Sequence, residues 1–248
     1  MILFWVVLLA IPLYADPLAE TQARFGVITG DVGLLAQGAP EWIEPHEGLP
    51  IEAGDEIRTG EDGRAEVLLS ENAAWVLESE SILATERMDT NSGRFNLSSG
   101  TILGIVDSAR AAGVPQRWEF STPAAAASVH GTRFVLTASK TDGTHLGVVE
   151  GSVELAPAET AEGLQPPVPV LQGQEGIVKR GRPVQMLKSF SPGMRALTAK
   201  MPAFHRRQHQ IENTWSPFTT ATRLELRKKF VAAPAKTKRP TKPGRHSH

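Results

Sequence analysis

The chain has 248 residues, 41% of them apolar and 21% charged, which is enough for one large domain or two small ones with a sizeable core. It has no Cys, which excludes disulfides, thiolate metal sites, cysteine nucleophiles and a lipid-modified N-terminal cysteine. A formal net charge of −1 hides a division: residues 1–178 carry 9 Lys and Arg against 25 Asp and Glu, net −16, and residues 179–248 carry 17 against 2, net +15.

At the N-terminus, residues 2–15 are uncharged and mostly apolar, too short for the roughly 20 residues of a membrane-spanning helix. Pro12 followed by Leu13-Tyr14-Ala15 reads as a helix break before a small-residue cleavage site, although no Lys or Arg precedes the apolar run. The expectation is a signal peptide over 1–15 and an exported protein, periplasmic or secreted. From about residue 25 to 180 short runs with period-two alternation are punctuated by Gly, Asp and Pro. The clearest is Glu56-Ile57-Arg58-Thr59, a turn through Asp62-Gly63, and a second strand whose Ala65, Val67 and Leu69 share one face. Trp75 and Leu77 continue it, and further runs follow at 101–106, 118–122, 133–138, 144–150, 152–155 and 174–179. Roughly a dozen strands at this spacing predict an all-β body. Pro166-Pro167-Val168-Pro169 reads as an extended surface loop before the last strand. Beyond Arg182 two helices are predicted, near 192–210 and 217–231, each opening on Ser-Pro. Residues 232–248 lack apolar periodicity and read as a disordered basic tail.

No nucleophile elbow, phosphate-binding Gly-rich loop or His-Glu-x-x-His occurs in the sequence. His205, His209 and Glu212 share a helical face, but Arg206 and Arg207 oppose a cation there, and surface or polyanion-facing histidines explain them better. Neither a metal nor a cofactor is expected, nor is an enzyme; a hydrolase would need at minimum a cleft with paired carboxylates.

A series of segments stands out: Gly26 to Val32, Trp42, Gly54-Asp55-Glu56-Ile57-Arg58-Thr59, Thr122-Pro123 followed by His130-Gly131-Thr132-Arg133-Phe134, Glu150-Gly151, and Gln172-Gly173-Gln174-Glu175. Together, from about 25 to 180, they resemble the FecR domain family, with His130 standing where the family usually has Arg. Their physical reading is turn chemistry. Gly54-Asp55 and Gly131-Thr132 suit sharp bends, Phe134 enters the core, and Arg58 has an acidic neighbour or a ligand to meet. The resemblance implies a β-rich body, solenoid-like or a rolled sheet, with a β-sandwich as the alternative; the solenoid is preferred because single short strands recur with Gly-rich corners.

FecR-family proteins include anti-sigma regulators of iron-uptake signalling whose FecR region is periplasmic and contacts an outer-membrane transporter. With so little sequence ahead of residue 25, the resemblance implies the exported module without the sigma-regulating half. The expected organisation is a signal peptide at 1–15, a FecR-like β domain at 25–180, a basic helical extension at 181–231 and a tail at 232–248. The expected function is a protein-interaction or sensory module of the envelope with an unidentified envelope protein as partner. The alternative is attachment to cell wall, lipopolysaccharide or anionic lipid through Arg227, Lys228, Lys229, Lys236, Lys238, Arg239, Lys242 and Arg245. An exported location argues against nucleic acid. A tail folded back on its own acidic body is the competing outcome.

Overall fold

The computed structural model describes residues 22–70, 72–89, 91–107, 116–158, 163 and 165–231. The expected signal peptide and Lys236, Lys238, Arg239, Lys242 and Arg245 lie outside the described residues.

Fifteen strands precede three helices: β1 (Arg24–Thr29), β2 (Val32–Leu35), β3 (Glu56–Thr59), β4 (Arg64–Ser70), β5 (Ala73–Leu77), β6 (Ile82–Met88), β7 (Ser92–Val106), β8 (Arg117–Ser121), β9 (Ala125–Val129), β10 (Arg133–Ser139), β11 (Gly143–Glu150), β12 (Ser152–Pro157), β13 (Val168–Leu171), β14 (Glu175–Val178), β15 (Gln185–Leu187), α1 (Pro192–Thr198), α2 (Met201–Thr214) and α3 (Thr220–Val231). The strands form one sheet rolled into two layers. The front layer has the order β1-β4-β5-β7-β10-β11-β14-β15. The back layer has the order β2-β3-β6-β7-β8-β9-β12-β13. The long β7 belongs to both, its first half pairing with β6 and β8 and its second half with β5 and β10. Between the expected solenoid and the expected roll, the roll is what forms. Coils of a solenoid stack in parallel, whereas every pairing here is antiparallel except β7 with β8. The chain makes a hairpin in one layer, crosses at a corner, and makes the next hairpin in the other.

The inner faces close on an aromatic cluster. Trp75 stands edge-on to Phe95, Trp118, Phe120 and Phe134, with ring centroids 5.9, 5.6, 5.1 and 6.0 Å away. In a chain with 6% aromatics, concentrating them at one point gives the roll a dense centre.

The two outer faces differ. Strands of the back layer alternate buried and open positions, as in Ala125–Val129 and Ser152–Pro157. The front layer is apolar on both sides: all five residues of β5 are buried, and Leu68, Ala74, Val76, Leu103, Ile105 and Val135 form a second core outside the roll. Met194 of α1 and Met201 and Phe204 of α2 cover that face. The single predicted helix at 192–210 is two, because Pro202 has no N–H and its ring would collide with the carbonyl of Thr198, the last residue of α1. α3 starts at Thr220, not at Pro217: residues 215–219 stay extended, and the Thr219 hydroxyl accepts the Thr222 amide at 3.1 Å. The sheet also continues past 180 into β15, and Pro169 lies in β13 where a loop is expected from sequence. Among the described residues no helix is long and apolar enough to cross a membrane.

Candidate interaction site

Gly54 takes φ +86°, a conformation other residues avoid, and turns the chain so that Asp55 points inward. The Asp55 carboxylate is fully buried and accepts the amides of Gln37 at 3.1 Å and Glu52 at 2.9 Å. This fixes the long connection between β2 and β3. Ile57 is core. Thr59 donates its hydroxyl to the Glu78 carbonyl at 2.6 Å and accepts the Ser81 amide at 2.9 Å, tying the end of β3 to the corner that leads into β6. Arg58 has no acid partner among the described residues; its guanidinium lies 4.6 Å from the centre of the Trp42 ring.

The second motif cluster joins the layers at another corner. The Thr122 hydroxyl accepts the Ala125 amide at 2.9 Å and bonds the Thr144 hydroxyl at 2.6 Å, so β8 of the back layer is linked to β11 of the front. Pro123 is exposed in the turn. Gly131 carries the chain from β9 to β10, Thr132 is buried, and Phe134 joins the aromatic cluster. Gly151, at φ +84°, makes the return crossing, and a Cβ there would sit 2.8 Å from the Gly131 carbonyl oxygen. Glu150 pairs with Arg133 at 2.6 Å across that corner.

The C-terminal extension wraps this framework as a strap. Arg227, expected among the outward cations, turns inward: it is 9% exposed, donates to the Pro50 carbonyl at 3.0 Å and pairs with Asp55. Arg223, Arg227 and Phe230 fall on one stripe of α3, with Arg223 3.9 Å from Glu52 and Phe230 edge-on to His46 at 4.8 Å. Lys228 and Lys229, on the other side of the helix, are exposed. On α2, Arg207 bonds the buried Glu66 carboxylate at 3.0 Å, and His205 Nε2 accepts from Arg133 at 2.7 Å, which ties α2 to the start of β10. Arg24 is sandwiched by Trp215 and Phe218 at 4.2 and 3.8 Å. Sequence reasoning gave no role to Glu66 or Arg24, or to Glu175, which is fully buried and accepts from His145 at 2.9 Å and from the Ser191 amide at 2.7 Å. Glu175 closes the Gln172-Gly173-Gln174-Glu175 segment, and a carboxylate next to a Gly turn was the available signal.

With the front layer covered, the back layer is the open broad face among the described residues. A hollow of about 390 Å³ lies on it, bounded by Arg94, Arg117, Glu119, Ser128, Glu154 and Pro167. Arg94 and Arg117 both reach Glu119, at 2.9 and 2.8 Å. The Arg94 hydrogen bond, assisted by the charge of Arg117, holds the Glu119 carboxyl below its ordinary value despite partial desolvation. The β13 edge of this layer is closed to strand addition. In β13 Pro169 has no N–H, and the Leu171 amide donates to the Gln174 side chain at 3.1 Å.

Residues 55–154 match the FecR protein family. That span is similar to FecR proteins. The match runs from the anchoring Asp55 to Glu154 in β12, so β3 to β12 carry the FecR pattern and the outer strands and the helical strap flank it. No curated protein matches the chain. Two crystal structures of a candidate anti-sigma factor from Parabacteroides distasonis ATCC 8503, at 1.65 and 2.50 Å resolution, are similar to it, each with 15% identity and a TM-score of 0.46. Each alignment covers 59% of this chain, and 64% and 63% of those chains.

Proposed function

We propose that this FecR-domain chain is a non-enzymatic regulatory module of the bacterial envelope that binds a protein partner on its back layer. The FecR match at residues 55–154 carries the reading, since the family resemblance includes signalling regulators that act by protein contact. The geometry supports it: the motif residues are spent on corners and on anchoring the strap, the front face is covered, and the back face is left broad and polar, with its β13 edge protected. The exported location rests on the apolar segment at 2–15. A photo-cross-linking residue placed at Ser128 or Glu154 in cells of the native host tests the proposal, with Ala203 on the outer side of α2 as control. The expected result is one discrete protein adduct from the back-layer positions and none from Ala203. Adducts from Ala203 alone, or no adduct from any position, would contradict it. A second reading, attachment to an anionic envelope polymer or lipid through the basic C-terminus, is supported by Lys228 and Lys229, which face away from the roll.

A further inference from the structure

The cations of the roll divide sharply by their partners. Arg24 and Arg58 stack on aromatic rings, Arg64 pairs with Glu78, Arg87 with Asp89, Arg94 and Arg117 with Glu119, and Arg133 with Glu150. Among the described residues from 22 to 182, four basic side chains remain: Lys140, Lys179, Arg180 and Arg182. All four are exposed and none makes an ion pair. They occupy two neighbouring hairpin turns, 139–143 between β10 and β11 and 179–183 between β14 and β15. The Thr144↔Val178 pairing sets these turns side by side, and a Cβ on Gly143 would sit 3.1 Å from the Lys179 Cα.

Both turns are held in shape. The Ser139 hydroxyl accepts the amides of Thr141 and Asp142 at 3.3 Å, and the Arg182 amide donates to the Lys179 carbonyl at 2.9 Å. The nearby acids are Asp142 on the first turn, and Glu78 and Glu80 across the hollow that Lys140 also lines; Glu78 is itself neutralised by Arg64 and Lys200. Two adjoining turns thus bring four unpaired cations together on one end of the roll, whereas the exposed Lys188, Arg195, Arg206, Lys228 and Lys229 are spread along the extension that follows it.

We infer that this tip is a docking surface for an anionic phospholipid surface. Its form selects that partner. Two convex turns present separate cations to an array of phosphates, and none of the four contributes an apolar group for insertion, so attachment is electrostatic and reversible. The inference moves the anion-binding role from the tail to the roll and is independent of the protein partner proposed above.

The test is co-sedimentation of the full chain with vesicles of phosphatidylglycerol and phosphatidylcholine, against phosphatidylcholine alone, at about 0.05 M and about 0.5 M salt. Three proteins are compared: the natural chain, K140Q/K179Q/R180Q/R182Q, and the tail variant K236Q/K238Q/R239Q/K242Q/R245Q. The four turn substitutions should leave the thermal melt unchanged and weaken binding to anionic vesicles at least about ten-fold, with binding to neutral vesicles absent throughout. The tail variant should keep most of its binding, and inorganic phosphate at matched phosphate concentration should compete poorly. Unchanged binding by the turn variant, loss confined to the tail variant, or full competition by inorganic phosphate would each overturn the inference.

Discussion

Asp55 is where the family motif and the C-terminal strap meet. Its carboxylate, fully buried, satisfies two amides of the β2–β3 connection and the Arg227 guanidinium. Asp55→Ala orphans both amides and leaves Arg227 with the Pro50 carbonyl and Glu52 in place of its closest carboxylate, and should cost about 3–5 kcal/mol in a denaturant melt, whereas Arg227→Ala leaves the carboxylate its two amide donors and should cost about 1.5–3 kcal/mol. Equal losses would show that the turn gains nothing from Asp55 apart from the strap. On the open face, Glu119 has its carboxyl held below the ordinary value first by the Arg94 hydrogen bond. A depressed folded value means the group stabilises the fold above the unfolded value of about 4.3 and loses that contribution as the pH falls through the folded one. Carboxyl NMR titration should therefore find Glu119 below about 4.3, and Arg94→Gln should move it upward. A midpoint unmoved by that change would contradict the assignment. None of this pairing was legible in the sequence. Arg227, Lys228 and Lys229 are one basic run on paper, and only the helical rotation sends the first into the protein and the others out.

At the scale of elements, the covered front layer explains both what sequence patterning found and what it missed. The back-layer strands alternate because one side meets solvent, and period-two reading finds them. β5 has no polar side, and its continuous apolar run is the mark of a strand buried on both faces; its outer cover could be inferred only once α1 and α2 were placed. The corners were visible as Gly-containing motifs, but their partners were not, since Gly131 meets Gly151 across a whole hairpin. A β domain ending at 180 has a specific weakness: without α1 and α2, Leu68, Val76, Leu103, Ile105 and Val135 would face water. Phe204→Ala in the full chain should cost about 3–5 kcal/mol, comparable with an internal core aromatic. A loss under about 1 kcal/mol, the range of an ordinary surface site, would mean that α2 only rests on the roll.

For the whole molecule, the division of charge is partly resolved within the chain: Lys200, Arg207, Arg223 and Arg227 of the basic extension meet Glu78, Glu66, Glu52 and Asp55 of the acidic roll. The apolar contacts of Met194, Met201 and Phe204 hold α1 and α2, where the half-exposed Lys200 pair adds about 0–1 kcal/mol, and the buried Arg227–Asp55 pair ties α3 to the roll. That arrangement leaves the back layer as the face open to a partner, which is the central claim. Hydrogen exchange on the full chain, at about 0.1 M and about 1 M salt, tests it most directly, because the screening length falls from about 10 Å to about 3 Å between them. The account predicts that α1 and α2 stay protected in both, that any loss of protection at high salt is confined to α3, where the Arg223–Glu52 pair is screened and the buried Arg227–Asp55 pair much less so, and that β7 and β10 exchange slowest. Exchange of α2 at the rate of an unstructured peptide at low salt would contradict it, because the front layer would then be as open as the back.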